Sequence, residues 1–263
     1  MNEPRHGRSA RKPEKGNPDS FALEALPWPE VEAHLDRDPR LLFAVGALEQ
    51  HGPHLPLGVN LLIAQRLVEE VSRERGVLRA PALAYGVDLP RHRGHRFAGT
   101  AGLRRKTLHR AVNELLADWE DHGVEELIVV TAHRYEPHLD ALLMAVTAEA
   151  RTTVVNLRSI PVGDILEGDP DTEHGGELET SLLLHLEPDR VRTEQIRDFV
   201  TDPATVRRYV RGRAPTPPPG SRGCLGRPSR ATPEKGGRVF RRYVEILSRE
   251  VLAAEANVAR RSG

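Results

Sequence analysis

The chain has 263 residues, enough for one large α/β domain with a full core, and its 38 Lys and Arg balance 38 Asp and Glu. That balance leaves no global field to draw in nucleic acid or an acidic membrane, and an aromatic content of 4% argues against a base-stacking surface. A lone Cys224 excludes an intramolecular disulfide; with no apolar run near the ~20 residues of a membrane span and no hydrophobic signal core, a reducing, cytoplasmic setting is expected.

Residues 1–20 are polar, charged and aperiodic, and are expected to form a disordered tail ahead of a single domain over 21–263. Trp28-Pro29-Glu30-Val31 suggests a short helix with proline in its first turn. Leu41 to Gly46 reads as a short buried strand, and Leu61 to Arg75 carries helical periodicity that stops at Gly76. Between them lies Leu48 to Asn60, which packs Glu49, His51, His54 and Asn60 into a segment stiffened by Pro53 and Pro56. A loop between a strand end and a helix start is the usual place for a site in an open α/β sheet. Glu49 and His51 are two apart, so an extended backbone sends both side chains to one face, and a carboxylate beside an imidazole suits Zn²⁺, Mn²⁺ or Fe²⁺.

Val77 to Tyr85 is expected as a second strand, followed by a long cationic loop in which Asp88, His92 and His95 are the polar groups best placed to face a site. Lys106 to His122 reads as an amphipathic helix and Glu126 to Ala132 as the clearest buried strand, with His133 at its end. A helix over Leu139 to Ala150 and a strand over Thr152 to Leu157 complete a β-α-β-α-β alternation. That pattern predicts a mainly parallel central sheet with helices on both faces. His174-Gly175-Gly176-Glu177-Leu178-Glu179-Thr180-Ser181 then leads into an apolar helix; glycines beside His174 allow close backbone approach, and Glu179 would be costly to bury without a purpose. Residues 211–237, rich in Pro, Gly and Arg, are expected as a surface arm ahead of a C-terminal amphipathic helix.

Glu49 to Pro56, Glu-Gln-His-Gly-Pro-His-Leu-Pro, matches letter for letter the signature of the creatininase family of metal-dependent amidohydrolases, which this sequence resembles from Val45 to about Gly236. Tyr85-Gly86, Phe97, Gly99 and Thr100 agree with a second family loop. The run from His174 to Ser181 resembles the family's His-Ala-Gly-x-x-Glu-Thr-Ser, and Ala231 to Gly236 resembles its Ala-Thr-x-Glu-Lys-Gly. The resemblance implies a creatininase-like three-layer α/β sandwich and metal ligation by Glu49, His51, Asn60 and His133. It implies catalytic roles for His174 and Glu179, acting on a small-molecule substrate in a homo-oligomer, commonly a hexamer. Family enzymes hydrolyse C–N bonds in creatinine, in a formamide precursor of flavins and deazaflavins, and in the mycofactocin precursor peptide.

Two departures stand out. Asn60 occupies the place of an aspartate that bridges two metal ions in the family, and a neutral amide bridges two cations poorly. Arg134-Tyr135-Glu136 follows His133 where the family usually has Gly-Gly-Asn or Tyr-Glu-Asn, so the occasional second glutamate ligand is replaced by Tyr135, leaving Glu136 or His138 as conceivable substitutes. The expectation is therefore a metal-dependent amidohydrolase holding one divalent ion (Zn, Mn or Fe) rather than two. The competing expectation is a non-catalytic binding or scaffold subunit with a degraded dinuclear centre.

Overall fold

The computed structural model describes residues 19–88, 97–214 and 216–261, the stretch 254–261 as helix backbone only; the tail up to residue 18 and the candidates His92 and His95 lie outside the described residues. Strands β1 (Arg40–Ala44), β2 (Leu78–Arg79), β3 (Glu126–Thr131) and β4 (Arg151–Asn156) form a four-stranded parallel sheet in the order β2-β1-β3-β4. Leu42 pairs with Ile128 and Val129 with Val154, fixing the register across the middle of the sheet.

Helix α1 (Trp28–Leu35) precedes the sheet; parallel neighbours then need crossovers, and three helices supply them: α2 (Val59–Arg75) between β1 and β2, α3 (Arg105–Asp121) between β2 and β3, and α4 (Glu136–Leu143) between β3 and β4. Every residue of β1 and β3 is buried, as expected of strands covered on both faces. Alternation then divides the core. Leu42, Ala44, Ile128 and Val130 point to the face covered by α2, α5 (Glu177–Leu186) and α7 (Pro233–Arg261). Leu41, Phe43, Leu127 and Val129 point to the opposite face, with α3, α4 and α6 (Pro203–Val210).

The strand order reverses direction at β1, which has β2 on one side and β3 on the other. The crevice outside the carboxyl ends of β1 and β3 is thus the topological switch point, where an open α/β sheet offers a ligand site. The Leu48–Asn60 loop and His133 both leave the sheet there.

Three expectations change in detail. The second strand shrinks to Leu78–Arg79, with Leu83 making only a single bridge to Val45. The fourth helix begins at Glu136, one place before Pro137, and ends at Leu143; beyond it Val146, Glu149 and Ala150 give their backbone N–H groups to Asn113 and Glu120 of α3, an alternative to continuing the helix. The 211–237 segment is not a free surface arm. Cys224 and Leu225 are buried, Leu225 bridges His174, Gly226 bridges Phe199, and from Pro233 the chain is already α7. Its ending anchors α5: Lys235 Nζ donates to Glu177 at 2.6 Å, and a Cβ on Gly236 would run into the Ser181 carbonyl oxygen, so only glycine lets α7 lie this close.

Candidate metal centre

The signature loop points alternate side chains in opposite directions. Gln50 turns away from the centre, donating to the Gly223 carbonyl at 3.0 Å and the Tyr209 hydroxyl at 3.3 Å while its Oε1 accepts from the Gly52 N–H at 2.9 Å. His54 is also structural: its Nε2 meets Thr180 Oγ1 at 3.0 Å, tying the loop to α5. Glu49 and His51 face inward. With His174 they bring ligand atoms within 4.8 Å of one another, and all three are buried.

Hydrogen bonds fix which ring nitrogens are free. Val87 O can only accept, so His133 Nε2, 2.8 Å from it, carries the proton and leaves Nδ1 as a lone pair. That lone pair stands 3.0 Å from Glu49 Oε2, a buried oxygen with no hydrogen-bond partner, and accepts from Asn60 Nδ2 at 3.2 Å. His51 Nδ1 donates to the Glu49 carbonyl at 3.0 Å, leaving a buried, unpartnered Nε2. His174 Nε2 donates to the Gln50 carbonyl at 2.7 Å and lies 3.4 Å from Glu49 Oε1. The His51 and His174 rings stack at 4.6 Å between centroids, a contact suited to neutral imidazoles. Two electron pairs facing each other across 3.0 Å need a cation or a proton between them, and His51 Nε2 supplies a further free donor. This set fits a divalent ion.

The electrostatics agree. Burial, then the Asp88 and Glu179 carboxylates, raise the Glu49 pKa well above its usual range, which favours a positive partner in that gap, a proton or a metal. Burial lowers His133 to about 4 and, with His51 beside it, His174 to about 3. Burial also acts on Glu179, but in the direction opposite to its net shift; Arg158, with His51, His174 and Arg134, outweighs it and holds the carboxyl well below the carboxylate range. Glu179 Oε2 takes the Gly175 N–H at 2.5 Å, and its Oε1 faces His51 Nε2 at 3.8 Å. Gly175 has a φ of +64°, which lets the backbone turn there against the His51 carbonyl.

Glu49, His51, Asn60, His133, His174 and Glu179 all line one cavity of about 10 Å³, together with Arg134 and Tyr135. The two conceivable substitutes are elsewhere engaged. Glu136 lies on the surface with Arg211 and Arg213, and both nitrogens of His138 are used, by the Val87 N–H at 3.2 Å and Thr131 Oγ1 at 3.0 Å. Sequence reasoning missed Arg134 and Arg158. Their places, directly after His133 and just past the end of β4, were the available signal, since both lie at carboxyl ends of parallel strands.

The family profile described as Creatininase, creatinine amidohydrolase, matches residues 24–251. The chain belongs to the creatininase family. It is 30% identical to the creatinine amidohydrolase of Pseudomonas putida over 87% of this chain and 95% of that protein. It is 32% identical to the mycofactocin precursor peptide peptidase of Mycobacterium tuberculosis strain CDC 1551 / Oshkosh over 81% and 84% of the two chains. Among solved structures it is similar to a manganese creatininase, with a TM-score of 0.69, 25% identity, and coverage of 88% of this chain and 97% of that one. A creatininase-family hydrolase of C–N bonds with a buried Glu/His/His set is a metal-dependent amidohydrolase.

The buried imidazoles give this hydrolase a defined response to acid. Unfolded histidines take up protons below about 6.5, whereas His54 and His133 wait until about 4 and His174 until about 3. The unfolded state therefore binds more protons across that window, and stability falls as pH drops from 6.5 towards 4. Glu49 and Glu173 work in the opposite sense, because a raised pKa lets the folded state bind a proton first, but these two carboxyls stand against the lowered imidazoles of His34, His51, His54, His133, His138 and His174. The chelator-treated protein should melt at least about 5 °C lower at pH 5 than at pH 7 by circular dichroism; an unchanged or higher Tm would show that these histidines are not buried neutral.

Proposed function

We propose that the chain hydrolyses the C–N bond of a small cyclic amide, a formamide or a related compound, using one divalent ion. The observation that carries this is the pairing of His133 Nδ1 with the unpartnered Glu49 Oε2 at 3.0 Å, beside the free Nε2 of His51. Glu49, His51 and His133 would hold the ion, with the Asn60 amide beside them. Bound there, a divalent ion supplies Lewis-acid polarisation of the amide carbonyl and lowers the pKa of a water towards neutrality.

The chain's own groups do the rest. His174 is a neutral imidazole held in place by the Gln50 carbonyl and the His51 ring, so it is free to take a proton from the attacking water and pass it to the leaving nitrogen. Glu179 is too firmly ionised to be the better base. Its carboxylate accepts the Gly175 N–H, which fixes that turn, and offsets the positive charge of the centre. The small buried cavity keeps bulk water out, so these few charges act in a low dielectric. Incubation with Mn²⁺, Zn²⁺ or Fe²⁺ and a screen of cyclic amides and formamides tests the reading, and absence of hydrolysis across that screen by metal-loaded protein would count against it.

One ion, not two, follows from the charges. The centre holds the carboxylates Glu49 and Glu179, already faced by Arg134 and Arg158, and Asn60 and Tyr135 stand where further carboxylates would be needed. A second cation at short range would meet uncompensated repulsion. Elemental analysis should find close to one ion per chain, rising towards two with Asn60→Asp; two tightly held ions in the wild type would refute this.

Assembly into a homo-oligomer is part of the same reading. Leu143, Met144 and Val146 form an exposed apolar run, at 64%, 56% and 63% exposure, of the kind subunit contacts cover. Light scattering should give a mass several times that of one chain, and a stable monomer at micromolar concentration would remove this part.

A further inference from the structure

Arg134 and Arg158 stand where the metal centre opens outward, and they converge on one acceptor. Arg134 Nη1 and Arg158 Nη2 each donate to the Pro170 carbonyl at 2.7 Å. The Arg158 side chain is only 6% exposed. One nitrogen of each guanidinium, Arg134 Nη2 and Arg158 Nη1, is buried without a hydrogen-bond partner among the described residues. Glu179 Oε1 lies 3.7 Å from Arg158 Nη1, which is an ion-pair distance but too long for a hydrogen bond. Bringing two cations together in a dry place is unfavourable.

Both arginines line a cavity of about 570 Å³, within the size range of small-molecule sites. Its other cations already face acids: Arg207 lies 3.7 Å from Asp169, and Arg211 3.5 Å from Glu136. Arg134 also lines the small cavity of the metal centre, so the larger space and the centre meet at that residue. The centre itself has room for about an ion or one water and none for a substrate, which must extend into a neighbouring space.

We propose that Arg134 and Arg158 form a carboxylate-binding subsite, and that the substrate is a small amide or lactam carrying a carboxylate near the C–N bond that is broken. This rests on the metal-dependent amidohydrolase reading above. A carboxylate has two oxygens and can take an N–H from each of two guanidiniums at once, and charge-assisted bonds in a buried setting are the strong ones. The anion would satisfy both orphaned nitrogens and offset the repulsion between the two cations. It would also anchor one end of the substrate while the scissile amide reaches Glu49 and His174.

Calorimetric titration of the metal-loaded full-length protein with succinamate, and with its neutral counterpart succinamide, tests this. Succinamate should bind at least about tenfold more tightly, and Arg134→Gln and Arg158→Gln should each abolish that preference with metal content unchanged. Equal binding of the two probes by the wild type would overturn the proposal without any variant having to fold. So would survival of the preference in both variants, or displacement of succinamate by inorganic phosphate but not by acetate. Binding is read separately from turnover. A protein that prefers succinamate but hydrolyses no amide would therefore sink the hydrolytic reading alone, and one that hydrolyses neutral and acidic amides without preference would sink the subsite alone.

Discussion

Glu49→Gln should yield a folded protein that has lost its divalent ion, with metal affinity at least about 100-fold weaker and hydrolysis lost with it. Glu49 is buried at 2% exposure and its pKa is raised well above the usual range, so burial favours its neutral form in the metal-free protein. Gln reproduces that neutral form in shape and size, and the fold should not notice the exchange. The ion would. A carboxamide offers no negative charge and places an oxygen or an N–H where Oε2 faces His133 Nδ1 at 3.0 Å. Thermal melting with and without added Mn²⁺ reads the difference: the wild type gains stability from metal and the variant does not, while their metal-free Tm values agree. If the variant kept its ion through dialysis, Glu49 would not be a ligand.

His174→Gln should give the opposite pattern, with metal retained and kcat lowered by on the order of 10²-fold or more, the range of a lost general acid–base. His174 Nε2 is committed to the Gln50 carbonyl at 2.7 Å, so it is not a free ligand atom, and Gln can donate to the same carbonyl. What Gln cannot do is accept a proton and hand it on, because its carboxamide has no basic ring nitrogen. Metal content by elemental analysis, together with kcat and KM on whichever amide is turned over, separates the two variants. Loss of metal in His174→Gln would move that histidine from proton carrier to ligand.

Both variants lie in stretches legible from the sequence. The runs at 41–46 and 126–131 announced buried parallel strands because apolar residues without alternation fit only a sheet covered on both faces. Glu49 and His51, spaced by two, announced a shared face. The glycines beside His174 were expected to let a ligand approach the backbone; in the structure it is the chain's own His51 carbonyl that Gly175 turns against. These signals are local: each depends on residues a few places apart whose geometry the backbone itself restricts.

What local restriction does not reach, only the tertiary structure decided. The Pro- and Gly-rich segment looked like a surface arm, yet part of it packs against the signature loop of its own chain, where the Gly223 carbonyl holds Gln50 across a separation of 173 residues. His138 looked like a spare ligand until Val87 and Thr131 took both of its nitrogens. Nothing in the sequence pairs Arg134 with Arg158, and only the path of the chain through Pro170 brings their guanidiniums onto one carbonyl. Periodicity and residue type determined which elements form and which loop carries the chemistry. The partners of each polar group were decided by the crossing of chain segments far apart in sequence, because a side chain's hydrogen-bonding capacity is fixed by its type but the group that satisfies it is fixed by packing.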